Sequence, residues 1–384
     1  MKIYYVANAR IPTERAHGIQ LAKMCEALVK QGVDLELVVP RRKNVFSRPM
    51  QEFYGLKTPI KVKKLFFLNF GFSNPFSYNL SSFSFAFSYF FYLFSKRLKG
   101  EKAIFYSIDL DEVSYFIAPI LGWPVFYEMH DTKRKRFLYS YFFKRVKGII
   151  TISDLIKEDL IKKFGIPKEK ILVFPNGIDL DFFAPAKSRQ ECRRILRLSQ
   201  NRPMALYCGK IYDWKGLEIL VGAAAKKSEC DFCLIGGSGE ELQKSIGIEK
   251  IPANMVCAGQ RDYKEVSLWY GAADVLLVLG TKQNPYSYYY TSPMKIFEYM
   301  AANRPIVASA TPALKQIVSR EEVFFYEPDD VASLAEAVGL ALNSSETACQ
   351  KIRKASEKVK RFEWSRRAEN ILNFIESNQN GSNG

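Results

Sequence analysis

Short apolar runs alternate with amphipathic stretches along almost the whole chain. Residues 3–7 are apolar; a loop holding Gly18 follows, then Leu21, Met24, Cys25 and Leu28 at the spacing of one helix face. Gly32 and a second apolar run at 35–39 complete a strand, helix, strand unit, whose right-handed crossover implies a parallel sheet. Further strands are predicted at 62–68, 103–107, 125–128, 148–152 and 171–174. All are short and apolar, as strands are when helices cover both faces. A second series has predicted strands at 204–208, 232–235, 255–258, 275–279 and 306–308.

Between the two series, the segment PNGIDLDFFAP and the charged stretch after it break the rhythm and predict a linker over 179–202. The expected organisation is a first domain at 1–178, a second at 203–362, a helix at 363–377 packing back toward the first, and a disordered polar tail at 378–384. An α/β protein with two Rossmann-like domains facing each other across a cleft is the simplest architecture. Its ligands should meet the loops beyond the carboxyl ends of the strands.

Composition sharpens this picture. A chain of 384 residues, 48% hydrophobic and 25% charged, has ample material for two cores and is no disordered polymer or disulfide scaffold. Lys and Arg exceed Asp and Glu by 56 to 40, a net +16 that suggests polyanionic partners. The excess is uneven: residues 1–180 hold 29 basic and 16 acidic side chains, the remainder 27 and 24. Seven scattered cysteines make no disulfide framework, and the pair Cys230 and Cys233 reads as two core thiols. The chain opens directly into a strand, with no signal-peptide pattern, so a cytoplasmic location is expected.

Two stretches bear on membranes. Residues 65–94 are dense in Phe and Tyr, but Asn and Pro interrupt them, and the continuous aromatic part at 83–94 is shorter than the ~20 residues of a spanning helix. Ser81, Ser84, Ser88 and Ser95 fall at helical spacing, predicting a core or interfacial helix with one small-residue face. Separately, Lys133-Arg134-Lys135-Arg136, FLYSYFF and Lys144-Arg145-Val146-Lys147 alternate charge with aromatics. That segment reads either as docking on an anionic leaflet, at the inner face of the plasma membrane, or as a helix with a solvated basic edge and a buried aromatic face.

Five loops could carry chemistry. Gly209 and Lys210, then Lys215 and Gly216, lie between a strand and a helix, where glycines let amides approach an anion and lysines supply charge. Gly236-Gly237-Ser238-Gly239 occupies a similar place but lacks a complete dinucleotide or Walker signature, so a tight turn explains it equally. The segment SPMKIFEYMA predicts a helix capped by Ser292, with Pro293 at its first position, the amides of Met294 and Lys295 free, and Glu298 farther in. His130 ends a strand of the first domain and reads equally as a structural histidine or a ligand-facing one. Gly18 offers a close backbone approach in the first loop.

Taken in order, GK…WKG, GGSGEEL, GAADVLLV and SPMKIFEYMA…PIVAS, preceded by TISDLIKEDLIKKFGI and PNGID, resemble the retaining glycosyltransferases of family 4, which have the GT-B fold. The likeness covers nearly the whole chain, and the SP-x-K-x-FEYMA form is similar to that of members acting in surface-polysaccharide and lipid-linked sugar assembly. The resemblance implies a nucleoside diphosphate sugar as donor, a carbohydrate or lipid-linked acceptor and no separate cofactor. It gives Glu298 the ribose hydroxyls, and Lys210, Lys215 and the amides of Met294 and Lys295 the diphosphate. Gly18, Gly209, Gly237 and Ser292 join the donor site, and His130 lies near the transferred sugar.

One position departs from that pattern. The family's first motif glutamate, eight residues before the second, is Tyr290 here, which leaves the donor sugar open. Metal dependence is not expected, since Asp109 with Asp111 and Asp179 with Asp181 have DxD spacing but no accompanying ligands. A nucleotide-sugar epimerase and a basic nucleic-acid-binding protein are the rival readings. The second lacks any nucleic-acid recognition motif, so no nucleic-acid partner is expected.

Overall fold

The computed structural model describes residues 1–70, 74–111, 113–184 and 186–380. The chain divides into two compact units, Met1–Gly177 joined by the C-terminal helix Trp364–Asn380, and Ile178–Glu363.

Seven parallel strands build the first unit: β1 (Lys2–Val6), β2 (Asp34–Pro40), β3 (Lys61–Leu65), β4 (Ile104–Ile108), β5 (Val125–Met129), β6 (Gly148–Thr151) and β7 (Ile171–Val173). Their order is β3-β2-β1-β4-β5-β6-β7. The sheet grows one way from β1 and then the other way from β4, so its switch point lies between those two strands, where diverging loops leave room for a ligand. The first crossover helix, Ala16–Lys30, buries Leu21, Met24, Cys25 and Leu28, the face that the spacing predicts.

The second unit repeats the plan with β8 (Met204–Cys208), β9 (Asp231–Ile235), β10 (Met255–Cys257), β11 (Val275–Val278), β12 (Ile306–Ser309) and β13 (Phe324–Tyr326), ordered β10-β9-β8-β11-β12-β13. Here the switch point lies between β8 and β11. Cys230 and Cys233 are buried thiols in this core. β13 is absent from the sequence-based expectation because its three residues, set among charged neighbours at the sheet edge, are too few to show a period.

Other expectations need correction. Residues 66–68 leave the sheet: Leu68 N donates to Ser84 Oγ at 3.0 Å and Phe70 N to Ser81 Oγ at 3.0 Å, so this segment runs beside the aromatic helix. That helix spans Pro75–Leu98, because Asn74 caps it by accepting from Ser77 N. Ser81 and Ser84 thus meet a neighbour, as the small-residue face suggests, but the neighbour is an extended segment.

Residues 179–202 are no free linker. Phe183 and Cys192 belong to the second core, and fully buried Arg193 donates to Ala272 O at 2.9 Å and pairs with Asp274 at 2.6 Å. A charged helix hides such an anchor because the arginine looks like a surface residue in one dimension. At the other end, the final helix runs through Asn380, three residues into the expected tail; 381–384 lie outside the described residues.

Candidate active site

In the second unit, the ends of β8 and β9 meet through glycines. Gly236 has φ +115°, and a Cβ there would lie 2.5 Å from Gly209 O and 3.0 Å from Lys210 N, so the two loops touch backbone to backbone. Gly209 N donates to Ile235 O at 2.8 Å, and Gly236 N to Gly259 O at 2.9 Å, stitching β8, β9 and the loop after β10 together. Gly237 packs on Ile211, leaving no space for a side chain. Ser238 then caps the helix Gly239–Ile246 in a reciprocal capping box with Glu241. These loops are tight turns, and the tightness itself places Gly209 and Lys210.

The amine of Lys295 points into this corner. Its Nζ stands 3.8 Å over the Tyr207 ring, and a Cβ on Gly209 would lie 2.7 Å from that same Nζ. Burial pulls the Lys295 amine down to about 8, against the opposing pull of Cys208 and Glu298. Lys215, in the short turn Asp213–Lys215 ahead of the helix Leu217–Lys226, lies 3.7 Å over the Trp214 ring. Burial, then the charge of Lys295, hold its amine well below the ordinary lysine range. The Tyr207 hydroxyl, buried beside Gly209, has no hydrogen-bond partner among the described residues. Two desolvated cations that repel each other, beside backbone kept bare of side chains, suit a compact polyanion.

Glu298 lies three residues beyond Lys295 on the helix Met294–Ala301. Its Oε2 accepts from Tyr270 OH at 2.6 Å. Burial raises its carboxyl to about 7, although Tyr270 and Lys295 favour the charged form. Ser292 does not cap this helix. The helix starts at Met294, and the capping place falls to Pro293, which has no side-chain acceptor. No side chain therefore covers the amide end of the helix through a cap.

The expected first glutamate has become part of an aromatic turn. Tyr286–Tyr290 form a wide helical turn after β11, pinned by buried Ser287, whose Oγ accepts from Thr281 N at 3.2 Å. Tyr286 packs edge-on against Trp214 at 5.3 Å, linking this turn to Lys215. Tyr207, Tyr270 and Tyr286 carry no sequence signal separating them from core aromatics.

In the first unit, His130 follows β5 and its Nε2 lies 2.7 Å from Glu128 Oε1. Glu128 is fully buried and also accepts from Gln20 Nε2 at 2.9 Å, Tyr106 OH at 2.7 Å and Arg367 Nη2 at 2.8 Å. Burial alone would raise this carboxyl, but the charge of Arg367 and the hydrogen bonds from His130 and Tyr106 outweigh it and hold it well below the carboxylate range. The Nε2 side of the His130 ring is thus held by Glu128 and by Gln20, whose Nε2 lies 3.0 Å from it, which fixes the ring orientation and turns Nδ1 away from that pair. Sequence reasoning missed Gln20, Tyr106 and Arg367, which lie far apart in the chain. Gly18 sits one turn-half before Gln20 on the same helix, packed against Thr13 and Tyr54, with its amide donated to Arg15 O at 2.9 Å.

The first pair of acids with DxD spacing serves local structure. Asp109 is held by Lys133 at 2.7 Å and Tyr127 OH at 3.0 Å, and Asp111 by Asn8, Ser114 and the amide of Val113. Among the described residues, no three His, Cys, Asp or Glu side chains are grouped as a metal site. The basic, aromatic stretch at 133–147 resolves as a helix, Phe137–Arg145, with Tyr139, Phe142 and Phe143 buried, so its aromatic face belongs to the core.

Comparisons with known proteins bear on the family and the fold. A family model described as Glycosyltransferase Family 4 matches residues 18–182, and one described as Glycosyl transferases group 1 matches 188–359. The alpha-galactosylglucosyldiacylglycerol synthase of Streptococcus pneumoniae is 26% identical over 182 residues, 45% of this chain and 46% of that enzyme. The D-inositol 3-phosphate glycosyltransferase of Xylanimonas cellulosilytica is 25% identical over 231 residues, 56% of this chain and 53% of that enzyme. The match thus spans about half the length of these curated relatives. A glycosyltransferase from Rickettsia africae has the same fold, with a TM-score of 0.75 at 16% identity over 100% of this chain and 99% of that one. So does Anabaena HepE in complex with UDP and glucose, with a TM-score of 0.73 at 17% identity over 98% and 100%.

Proposed function

The chain belongs to glycosyltransferase family 4, and we propose that it is a retaining transferase moving a sugar from a nucleoside diphosphate sugar to an acceptor hydroxyl in glycolipid or polysaccharide assembly. The observation that carries the reading is the corner where Lys295 meets Gly209, with Lys295 close enough to lower further the charge that buried Lys215 can hold. A diphosphate entering there restores both charges.

In this reaction the anomeric carbon loses its bond to the β-phosphate oxygen and gains one to the acceptor oxygen on the same face. The acceptor proton passes to the departing phosphate. The chain's task is then to stabilise negative charge as it grows, through Lys210, Lys215, Lys295 and the amides of Met294 and Lys295. Glu298, one turn further in, receives the ribose hydroxyls. His130, oriented by Glu128, serves the acceptor side with Nδ1. Gly18 and Gly237 keep the donor-side roles that the family resemblance implies for them. No metal ion or cofactor takes part.

The test is a thermal-shift panel of UDP, GDP and ADP with their common sugars, followed by product analysis by NMR. A stabilising nucleotide and a product of retained configuration support the reading. Product formed without acceptor would instead make the protein an epimerase, and activity abolished by chelator and restored by manganese would overturn the metal-free route. The relatives, a diacylglycerol glycolipid synthase and an inositol phosphate glycosyltransferase, support acceptors that are lipids or phosphorylated polyols.

A further inference from the structure

The helix Pro75–Leu98 leaves one face uncovered along its full length. Phe76, Leu80, Phe83, Phe87, Phe91, Phe94 and Leu98 are all exposed, Phe76 at 77% and Phe91 at 65%. At 3.6 residues per turn these seven fall within an arc of about 80°. The segment pinned by Ser81 and Ser84 adds Phe66, Leu68 and Phe70, also exposed, along one margin of that stripe. So large a continuous apolar face is not an ordinary protein surface.

Charge identifies its partner. Residues 53–100 contain no Asp or Glu and seven Lys or Arg. Lys63 and Lys64 are exposed on β3, the edge strand, and Lys63 lies 5.3 Å over the ring of Tyr92, as Lys96 does at 5.7 Å, which brings cations to the helix itself. Asp34 pairs with Lys61 and Glu101 with Lys96, but Lys63, Lys64, Arg97 and Lys99 are exposed beyond those pairs, so a second copy placed on this face would bring an excess of like charge together. An anionic lipid leaflet offers hydrocarbon for the rings and phosphate for the amines together. Among the described residues, no helix is long and apolar enough to cross a membrane, so this one lies in the interface.

The helix also begins at the functional end of its domain. Tyr78 OH donates to Leu110 O just after β4, and Ser82 accepts from Asn8 just after β1, so its first turns adjoin the carboxyl edge of the sheet that also bears His130. We propose that this Phe-rich face docks the first domain on an anionic membrane surface. The inference extends the transferase reading by naming a partner, yet it is tested without donor or acceptor, so either can fail alone.

The experiment is sedimentation of the full chain with vesicles of phosphatidylcholine alone or mixed with phosphatidylglycerol. Binding is expected with the mixed vesicles, weakening as salt rises. The F83Q/F87Q/F91Q variant should lose roughly tenfold in partition for each ring removed, and K63E/K64E should bind less at low salt. Because the changed side chains are exposed, the variants should melt like the parent. Should the triple variant misfold, hydrogen exchange on the unaltered protein gives the answer: amides of 66–70 and 76–98 gain protection with mixed vesicles. The proposal is overturned if the parent stays in the supernatant, if the triple variant binds equally, or if ultracentrifugation finds a dimer that this variant abolishes.

Discussion

Arg367 Nη2 lies 2.8 Å from Glu128 Oε1, with both side chains fully buried, and this pair joins the last helix of the chain to the strand that carries His130. Removing the arginine leaves a carboxylate in the core with no compensating charge. R367A should therefore cost ~3–5 kcal/mol in unfolding free energy, measured by urea titration. E128Q/R367M should recover much of the loss, since it removes both charges; equal instability in the two proteins would refute the electrostatic account. Glu128 is held below the carboxylate range, so its stabilising effect is present above the ordinary carboxylate pKa and is lost as strongly acid pH protonates it.

The donor corner should take up protons when it binds an anion. Lys215 is held well below the ordinary lysine range, and Lys295 at about 8. A bound diphosphate favours the charged amines, so calorimetry at pH 8 in buffers of different ionisation enthalpy should find net proton uptake on UDP binding. K215A should reduce that uptake and lower turnover more than it weakens donor binding. Unchanged turnover in K215A would remove Lys215 from the catalytic set.

Stability should also vary with pH through the same helix. Glu298 is raised from 4.5 to about 7, so the folded state binds more protons than the unfolded state between those values, and its contribution falls as pH rises across them. Lys295 is lowered from 10.5 to about 8, so the unfolded state holds the extra proton and stability rises with pH between those values. E298Q should flatten the first slope and K295M the second relative to the parent, read by thermal unfolding. E298Q keeps an acceptor for Tyr270 and should fold well, yet bind nucleotide ~10–100-fold more weakly, as a lost charged hydrogen bond to ribose requires.

Much of this was legible in one dimension. Short apolar runs reveal twelve of the strands, most plainly the central ones, which are buried on both faces, whereas β13 is three edge residues with no period to read. The lysines and Glu298 lie in local segments of strand, turn and helix, so their order alone places them. The network behind His130 is different. Gln20, Glu128 and Arg367 are separated by more than a hundred residues each, and an arginine on an amphipathic C-terminal helix looks solvated until its helix packs against β6 and the first helix. Exposure is equally hidden: the Phe face of 75–98 has a core-like composition, and only packing reveals that nothing covers it.

G236A should be among the most damaging single substitutions in the second domain. Its φ of +115° is barely open to an L side chain, and the added Cβ would press on Gly209 O and Lys210 N, backbone that cannot swing aside. Strain of ~1–3 kcal/mol from the backbone adds to the steric push on the Gly209 loop. Urea unfolding should record the loss, and UDP should stabilise the surviving protein less. A G236A protein as stable as the parent would contradict the close approach of the two loops.

Tyr290 stands where the family pattern has a glutamate, at the end of a turn made almost entirely of tyrosine and packed through Tyr286 on Trp214. A carboxylate there grips sugar hydroxyls by charged hydrogen bonds; a phenol offers a ring face and one weaker donor. Y290E acts at the position where the family pattern has its sugar-facing glutamate, so it should leave affinity for free UDP within about threefold of the parent while changing which nucleotide sugars are turned over, since contacts to a hydroxyl can shift selection by ~1–3 kcal/mol. The competition assay pairs free UDP with each UDP-sugar in parent and variant. An equal change for UDP and for every sugar would place Tyr290 in the scaffold of the turn, and a change confined to the sugars would make this aromatic turn the element that selects the donor.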